Sequence, residues 1–229
     1  MQAVILSAGR GTRMGTLTDN TPKPMMKVGG KNLLEHKFDA LPDEIDEIII
    51  SVGYLGGMIQ KYFGGEHNGK RIFYIEQEVL NGTAGALELA RPILHDRFLI
   101  LMGDDLYAAL DIERATQVPE GSWAIAGLAV EELGSAANIE VDASGVATAV
   151  VEAADHGGGP GYVNTGLYTL DMRFFDYPLV LKSAGSNEYG LPQTMIHTGI
   201  PIVLVPATSW IQITAPEDIE SAEEMLSRV

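Results

Sequence analysis

Short apolar runs alternate with amphipathic segments over the first half of the chain. Runs that are rich in β-branched or large apolar residues predict buried strands at 3–6, 47–52, 71–77 and 98–105. Between them, apolar side chains recur at helical spacing in 31–41, 55–63 and 82–90. This alternation is typical of a mostly parallel sheet with helices on both faces, whose ligands bind at the carboxyl ends of the strands. We therefore expect a single-domain α/β fold, a Rossmann-like three-layer sandwich.

The pattern changes in the second half of the chain. Shorter apolar runs predict strands at 123–130, 139–142, 146–152, 162–170, 200–207 and 209–213. Gly145 separates two of these runs and favours a hairpin rather than a crossover. Residues 155–161 are predicted to form a loop and 190–197 a helix. The last helix is expected to begin near Pro216, where Glu217 and Asp218 suit the positive end of the helix dipole.

Composition narrows the class of protein. A chain of 229 residues with 46% hydrophobic content can bury the core of one large domain. The formal net charge of -16 argues against electrostatic binding to nucleic acid or to an anionic membrane. The chain has no cysteine, which excludes disulfides and thiolate metal sites. We identify no signal peptide and no membrane span in the sequence, so we expect a cytoplasmic protein.

Positive charge is concentrated near the N-terminus. Six of the 15 Lys and Arg residues lie within the first 37 positions: Arg10, Arg13, Lys23, Lys27, Lys31 and Lys37. Asp19 and Glu35 are the acidic residues in the same stretch. The cluster predicts a basic pocket for an anion on an otherwise acidic protein.

A glycine-rich turn, residues 8–13, follows the first predicted strand. Its glycines would let backbone N–H groups approach phosphate oxygens, and Arg10, Arg13 and the Thr12 hydroxyl would add donors. This donor set suits a triphosphate better than a monophosphate. The turn matches neither GxxxxGK[ST] nor GxGxxG, so it predicts neither a P-loop nor a dinucleotide site. The alternative is that the arginines are ordinary solvated surface charges.

A longer motif surrounds this turn. Its residues are Gly9, Gly11, Thr12, Arg13, Leu17, Thr18, Pro22, Lys23, Pro24, Met25, Val28, Gly30, Lys31, Leu34 and Glu35. It continues in order through Gln77, Asn81, Gly82, Gly103, Asp104, 164–168 and Trp210. This series resembles the signature of the sugar-nucleotide pyrophosphorylases, the nucleoside-triphosphate:sugar-1-phosphate nucleotidyltransferases. The resemblance covers nearly the whole chain, whose length is similar to that of short members without a C-terminal β-helix.

The resemblance implies that a sugar-1-phosphate oxygen attacks the α-phosphorus of a nucleoside triphosphate and releases pyrophosphate. Catalysis would depend on positioning and charge neutralisation, without a covalent enzyme intermediate. The substrates would be the triphosphate and the sugar-1-phosphate, and Mg²⁺ the cofactor. A single domain, 1–229, would comprise a nucleotide-binding half, 1–110, and a sugar-phosphate-binding half, 111–229. The resemblance is compatible with a homo-oligomer.

The resemblance also implies roles for individual residues. The catalytic residues would be Arg13 and Lys23, with Lys23 between the α-phosphate and the sugar phosphate. The nucleotide-binding residues would be Leu6, Ala8, Gly9, Gly11, Thr12, Arg13, Gln77 and Gly82. The sugar phosphate would be bound by Glu152, Asn164 and Gly166, and Mg²⁺ by Asp104 and Gln212. Two alternatives remain open: the pair Asp104–Asp105 could cap a helix, and Gln77 could be a plain polar strand end.

The chain departs from the family pattern at two positions. Many members have Glu-Lys-Pro where this chain has Glu152 followed by Ala153 and Ala154, so a lysine for the sugar phosphate is missing. Many also have aspartate where this chain has Gln212, and an amide in place of a carboxylate should weaken Mg²⁺ binding. Lys182 is one cation that could replace the missing lysine.

Two other functions remain open. One is a nucleotide-sensing or regulatory binding protein that kept the triphosphate loop and lost turnover. The other is a glycosyltransferase with a related domain, in which Asp104 and Asp105 would form a metal-binding pair. The expected function is the nucleotidyltransferase reaction that yields an NDP-sugar.

Overall fold

The computed structural model describes residues 1–226. The strands are β1 Gln2–Leu6, β2 Lys27–Val28, β3 Lys31–Asn32, β4 Glu47–Val52, β5 Glu66–His67, β6 Lys70–Glu76, β7 Arg97–Met102, β8 Asp105–Tyr107, β9 Trp123–Val130, β10 Asn138–Val141, β11 Ala147–Val151, β12 Gly161–Asp171, β13 Ile202–Pro206 and β14 Trp210–Gln212. The α-helices are α1 Leu33–Ala40, α2 Gly56–Phe63, α3 Thr83–Ala90, α4 Ala109–Thr116, α5 Leu191–His197 and α6 Glu217–Leu226. Short 3₁₀ helices span Thr12–Thr18, Lys23–Met25 and Met172–Asp176.

One ten-stranded sheet organises the molecule. Its main path runs β11-β10-β12-β7-β1-β4-β6-β5, and β9 pairs with both β12 and β13. The centre of the sheet, β7-β1-β4-β6, is parallel, whereas β12 runs antiparallel to β7. The chain proceeds from β1 to β4 and β6 on one side and then returns to β7 on the other side of β1. This reversal creates a crevice at the carboxyl ends of β1 and β7, where such sheets bind ligands.

Apolar side chains cover both faces of this sheet. Strand β4 is buried along its whole length, and its alternate residues Ile48 and Ile49 contribute to two different core clusters. Helices α1, α2 and α4 pack on one face, and α3 and α5 on the other. The expected three-layer α/β sandwich, with helices on both sides of a mixed sheet that is mostly parallel at its centre, is confirmed.

The predicted strand over 98–105 is wrong beyond Met102. The chain turns at Gly103, where a Cβ atom would lie 2.3 Å from the Ser7 Oγ atom, so the turn needs glycine. After the turn, β8 leaves the main sheet and pairs antiparallel with β14 in a separate two-stranded ribbon. The run at 209–213 therefore belongs to this ribbon, and Asp104 lies in a turn rather than at a strand end.

One helix boundary and one whole helix also differ from the sequence prediction. The helix expected at 31–41 begins at Leu33, because Asn32 and Glu35 form a capping box in which each side chain accepts a hydrogen bond from the other residue's backbone N–H. Helix α4 was not predicted. Strands β10 and β11 form the expected antiparallel hairpin. None of the helices within residues 1–226 combines the length and the apolar character needed to cross a membrane.

Candidate active site

The glycine-rich turn lies at the crevice between β1 and β7. It forms one wall of a cavity of about 260 Å³, which we call the Gly-loop cavity, and its lining residues are Leu6, Ser7, Gly9, Gly11, Thr12, Arg13, Lys23, Pro24, Gly103, Asp104 and Thr214. Gly11 has a positive φ of 66°, and a Cβ atom there would lie 2.9 Å from Lys23 Cβ. The loop therefore packs directly on the stem of Lys23, which explains the need for glycine at this position.

Lys23 and Asp104 meet in the Gly-loop cavity. The Lys23 Nζ atom lies 2.5 Å from Asp104 Oδ2, and the side chains are 8% and 29% exposed, respectively. The lysine is held in a short 3₁₀ turn, in which Met25 N donates to Pro22 O at 2.8 Å. Asp104 does not cap a helix, because the residue at the cap of α4 is Ala108. The pair places an ammonium and a carboxylate at the carboxyl end of β7, where a phosphate and a cation could both be bound.

A second and larger cavity, of about 590 Å³, adjoins the first and shares Leu6, Gly9 and Arg13 with it. Its lining comes from both halves of the chain and includes Ala8, Gln77, Gly82, Glu152, Asn164, Gly166 and Gln212. Every site residue expected from the sequence thus lines one of the two cavities. Segments that are far apart in sequence are thus brought together around two adjoining cavities.

Gln77 and Gly82 form one end of the large cavity. Gln77 is 6% exposed, and its Nε2 atom donates to Asn81 Oδ1 at 3.3 Å and to Gly82 O at 3.4 Å. Gly82 has a φ of 97°, and a Cβ atom there would lie 2.3 Å from the Tyr189 carbonyl oxygen. Tyr189 N in turn donates to Asn81 O at 2.7 Å. The 81–83 backbone is therefore fixed against a segment from the second half of the chain.

Glu152 and Asn164 lie in the part of the cavity built by the second half. Gln193 Nε2 donates to Glu152 Oε1 at 2.8 Å, and Lys182 Nζ lies 3.6 Å from Glu152 Oε2. Asn164 Nδ2 donates to the Tyr168 hydroxyl at 2.8 Å, and its Oδ1 atom accepts from Gly166 N at 3.2 Å. The position of Lys182 in the fold could not be predicted from the sequence. The structure brings it into this cavity beside Glu152.

Gly166 allows an irregularity in β12. The pairing of this strand with β9 shifts register between Asn164 and Tyr168. Gly166 has a φ of 76°, and a Cβ atom there would lie 2.4 Å from Met102 Cγ. The glycine therefore lets β12 approach the end of β7 closely and aims Asn164 into the cavity.

Two buried ionisable groups lie behind the Gly-loop cavity. Lys37 and Asp105 are each 1% exposed. Burial lowers the pKa of Lys37 to about 8, against the opposing effect of the Asp105 and Asp104 carboxylates. Burial also raises the pKa of Asp105 to about 8, and the Asp104 charge acts in the same direction. Lys37 follows Leu33 by four residues and Leu34 by three, a spacing that could have signalled its place on the apolar face of α1.

The N-terminal cations do not form one pocket, which corrects the expectation from their clustering. Arg13 and Lys23 line the cavities. Arg10 instead stacks on Tyr54, with 5.0 Å between the guanidinium carbon and the ring centre. Lys27 is exposed, and the exposed Lys31 pairs with Asp39 at 2.6 Å. Residues that are adjacent in sequence diverge here because the ribbon of β2 and β3 carries Lys27 and Lys31 outward.

The structure offers few metal ligands near Asp104. Residues 1–226 contain no group of three or more His, Cys, Asp or Glu side chains arranged to hold a metal ion. Gln212 lies opposite Asp105 in the ribbon of β8 and β14, and the next residue, Ile213, donates from its N–H to Asp104 O at 3.0 Å. Asp104 lines the Gly-loop cavity and Gln212 the large cavity, so a metal on the Asp104 carboxylate would need substrate phosphates and water for most of its ligands.

Comparison with known proteins bears on the chemistry of this site. The nucleotidyl transferase family profile matches residues 2–195. The UTP-glucose-1-phosphate uridylyltransferase AglF of Haloferax volcanii is 30% identical, over 99% of this chain and 96% of that protein. The bifunctional protein GlmU of Methanocaldococcus jannaschii is 30% identical over 86% of this chain. The match covers 46% of that relative, so this chain spans only about half of its length.

A solved structure has the same fold. It is a Bacillus anthracis protein assigned as a glucose-1-phosphate thymidylyltransferase, in complex with a sucrose. The TM-score is 0.86 at 20% identity, and the match covers 100% of this chain and 96% of that one. Enzymes of this family use a nucleoside triphosphate and a sugar-1-phosphate, and they generally require a divalent metal. The chain therefore belongs to the nucleotidyl transferase family, among the sugar-nucleotide pyrophosphorylases that make NDP-sugars.

Proposed function

We propose that the protein transfers a nucleoside monophosphate from a nucleoside triphosphate to a sugar-1-phosphate, giving an NDP-sugar and pyrophosphate. The observation that carries the proposal is that the two cavities share the lining residues Leu6, Gly9 and Arg13. A phosphate chain in the Gly-loop cavity and a sugar phosphate in the large cavity would meet at this junction. Such an arrangement converts a reaction between two substrates into one between neighbouring groups.

The nucleotide would be bound mainly by residues of the first half, 1–110. In this proposal the backbone at Gly9, Gly11 and Thr12, together with the Arg13 guanidinium, binds the β- and γ-phosphates. Gln77 and Gly82 bind the base, and Leu6 and Ala8 lie beside it. The buried Gln77 amide has a donor and an acceptor, which suit the polar edge of a base. Its present contacts, at 3.3 and 3.4 Å, are long enough to be exchanged for contacts with a ligand.

Lys23 would act at the reacting phosphorus. Its side chain is 8% exposed and is held on the short turn between two prolines. In the free protein it is paired with Asp104, and in the substrate complex it would contact the α-phosphate and the incoming sugar phosphate. A fixed, mostly buried cation stabilises the negative charge that develops in the transition state. The reaction then needs no covalent intermediate with the protein.

Asp104 and Gln212 would hold Mg²⁺. Mg²⁺ commonly keeps several waters and takes one or two protein oxygens together with substrate phosphates, so this sparse donor set fits it. The bound ion would supply positive charge to the phosphates. Asp104 would then contact the metal instead of Lys23. The Lys23 ammonium would be released to contact the α-phosphate.

The acceptor would be bound by the second half, 111–229. We propose that Glu152 and Asn164 contact the sugar, that Gly166 leaves room for it, and that Lys182 binds its phosphate in place of the lysine missing at Ala153. Lys182 is 48% exposed, and its pairing with Glu152 at 3.6 Å is loose. A phosphate could displace Glu152 from the ammonium and form a stronger charge-assisted hydrogen bond.

Lys182→Met is expected to raise the KM for the sugar-1-phosphate about 10–100-fold, because a hydrogen bond to a charged group contributes roughly 1.5–3 kcal/mol. The KM for the triphosphate should change less than about twofold. Initial rates measured with each substrate varied in turn separate the two constants. Lys61→Met, at an exposed lysine on α2, is the matched control. An unchanged acceptor KM would exclude Lys182 from the phosphate site.

Pyrophosphate release tests the proposed function directly. Each nucleoside triphosphate is assayed with a panel of sugar-1-phosphates, beginning with UTP and glucose 1-phosphate because the relative AglF is named for that pair. Release that requires both substrates is the expected result. The second candidate, a nucleotide-sensing protein, is favoured by Ala153 and Gln212. Tight nucleotide binding without release for any pair would support the sensor and overturn the enzyme.

A further inference from the structure

Lys37 is a fully buried lysine that the proposed reaction does not use directly. It lies on α1, is 1% exposed, and faces the core behind the Gly-loop cavity. Burying an amine away from water is costly unless its donors are used. A methionine could fill the same volume without that cost, so the polar contacts of Lys37 call for an explanation.

Those contacts fix the turn that carries Asp104. The Lys37 Nζ atom donates to Gly103 O at 3.0 Å, 66 residues away in sequence, and to Leu33 O at 3.2 Å. On the other side of the same residue, Gly103 N donates to Leu6 O at 2.8 Å. Gly103 is therefore held through its N–H by β1 and through its carbonyl by α1. The next residue is Asp104, so the direction of its carboxylate depends on how this turn is held.

The charged groups nearest to Lys37 are residues of the candidate active site or adjoin it. Its amine interacts with the carboxylates of Asp105 and Asp104 and is repelled by the ammonium of Lys23. Asp105 is also 1% exposed, and its Oδ1 atom has no hydrogen-bond partner within residues 1–226. Lys37 is thus buried beside Asp105 and Asp104, next to the metal-binding position proposed for Asp104.

We propose that Lys37 is a positioning residue, which holds the Gly103 carbonyl from behind the cavity and so keeps the Asp104 carboxylate aimed at the metal and Lys23. The inference rests on the proposed function of Asp104. Hydrogen-bonded groups behind the ligands of a metal commonly change its affinity about 10–100-fold when they are removed.

The chain contains a matched control for this proposal. Lys70 is also buried, with 9% exposure, and its Nζ atom donates to two backbone carbonyls, Pro42 O at 3.0 Å and Ile45 O at 2.6 Å. It lines neither cavity. Lys37→Met and Lys70→Met therefore remove the same kind of interaction, and only the first removes it next to Asp104.

The test measures Mn²⁺ binding by electron paramagnetic resonance in the presence of UTP, together with Tm and pyrophosphate release. We expect Lys37→Met to weaken Mn²⁺ binding to the UTP complex about tenfold and to lower kcat, with little change in the KM for UTP. Lys70→Met should lower Tm by about as much as Lys37→Met does, but it should leave Mn²⁺ binding unchanged. Lys37→Gln, which retains a donor, should recover part of the Mn²⁺ affinity and serves as the test variant if Lys37→Met does not fold.

Mn²⁺ binding by Lys37→Met equal to that of Lys70→Met would overturn the positioning role, and so would a Lys37→Gln protein that binds Mn²⁺ no better than Lys37→Met. The proposed function is judged separately on the unmodified protein. If that protein binds Mn²⁺ and UTP but releases no pyrophosphate, the reaction is overturned and the Lys37 comparison still decides the positioning role. If it binds no Mn²⁺ with UTP, both proposals are overturned.

Discussion

Lys23→Ala is expected to lower kcat/KM about 10²–10³-fold, the loss typical when one fixed charge or donor is removed from the site of a developing negative charge. The protein should still unfold in a single cooperative transition. Asp104 is 29% exposed, so it can be hydrated when its partner is removed, and a partly exposed ion pair contributes little to stability. Steady-state kinetics and thermal unfolding on the same preparation measure the two effects.

Two further variants isolate the charge of Lys23. Lys23→Met keeps much of the stem that packs on Gly11 and should be as inactive as Lys23→Ala if the ammonium is the active group. Lys27→Ala, at an exposed position on β2, should retain wild-type rates. Activity of Lys23→Met within about threefold of wild type would mean that packing, rather than charge, explains the loss in Lys23→Ala.

The parallel half of the fold could be predicted because its signals are local. Strand β4 contains the uninterrupted apolar run 48–50 and is buried on both faces, so its sequence alone indicates a central strand. The end of β7 could not be predicted in this way. Its chain turns where Gly103 meets Ser7, and that contact exists only after β1 and β7 have paired.

The cavity residues could be predicted because the family motif is long. From the motif, Arg13, Lys23 and Gln77 were predicted to be site residues, and each of them lines a cavity. The motif gave no information on Lys37 or Lys182, because these two are brought to the site by tertiary packing. Lys182, for example, is placed by a chain segment whose backbone docks on residues 81–84.

Asp104 and Asp105 show most clearly what sequence alone leaves undetermined. They are adjacent and chemically identical, yet Asp104 faces the Gly-loop cavity, whereas Asp105 is 1% exposed, lies beside Lys37 and borders the large cavity instead. Burial of Asp105 disfavours the interpretation in which both carboxylates form a metal-binding pair. The turn at Gly103 produces this difference, and the turn itself depends on the contacts of Ser7 and Lys37.

Asp104→Asn is therefore expected to lower kcat about 100-fold and to move Mg²⁺ activation to higher concentrations, because it removes the carboxylate that faces the cavity. Gln212→Asp should instead lower the Mg²⁺ concentration needed for activation, because it adds a negative charge on β14 next to the same turn. Both effects are read from Mg²⁺ titrations of pyrophosphate release at saturating substrates. Asp19→Asn, at an exposed position, is the control for loss of a carboxylate.

The pair of variants distinguishes a metal site from an ion pair that serves only to hold Lys23. If Asp104 acts only through Lys23, Asp104→Asn should reduce the rate without moving the Mg²⁺ midpoint, and Gln212→Asp should leave that midpoint unchanged. If Asp104 and Gln212 both bind the metal, the midpoint moves up in the first variant and down in the second. The opposite signs matter because general damage to the fold could weaken metal binding in both variants but would not strengthen it in one of them.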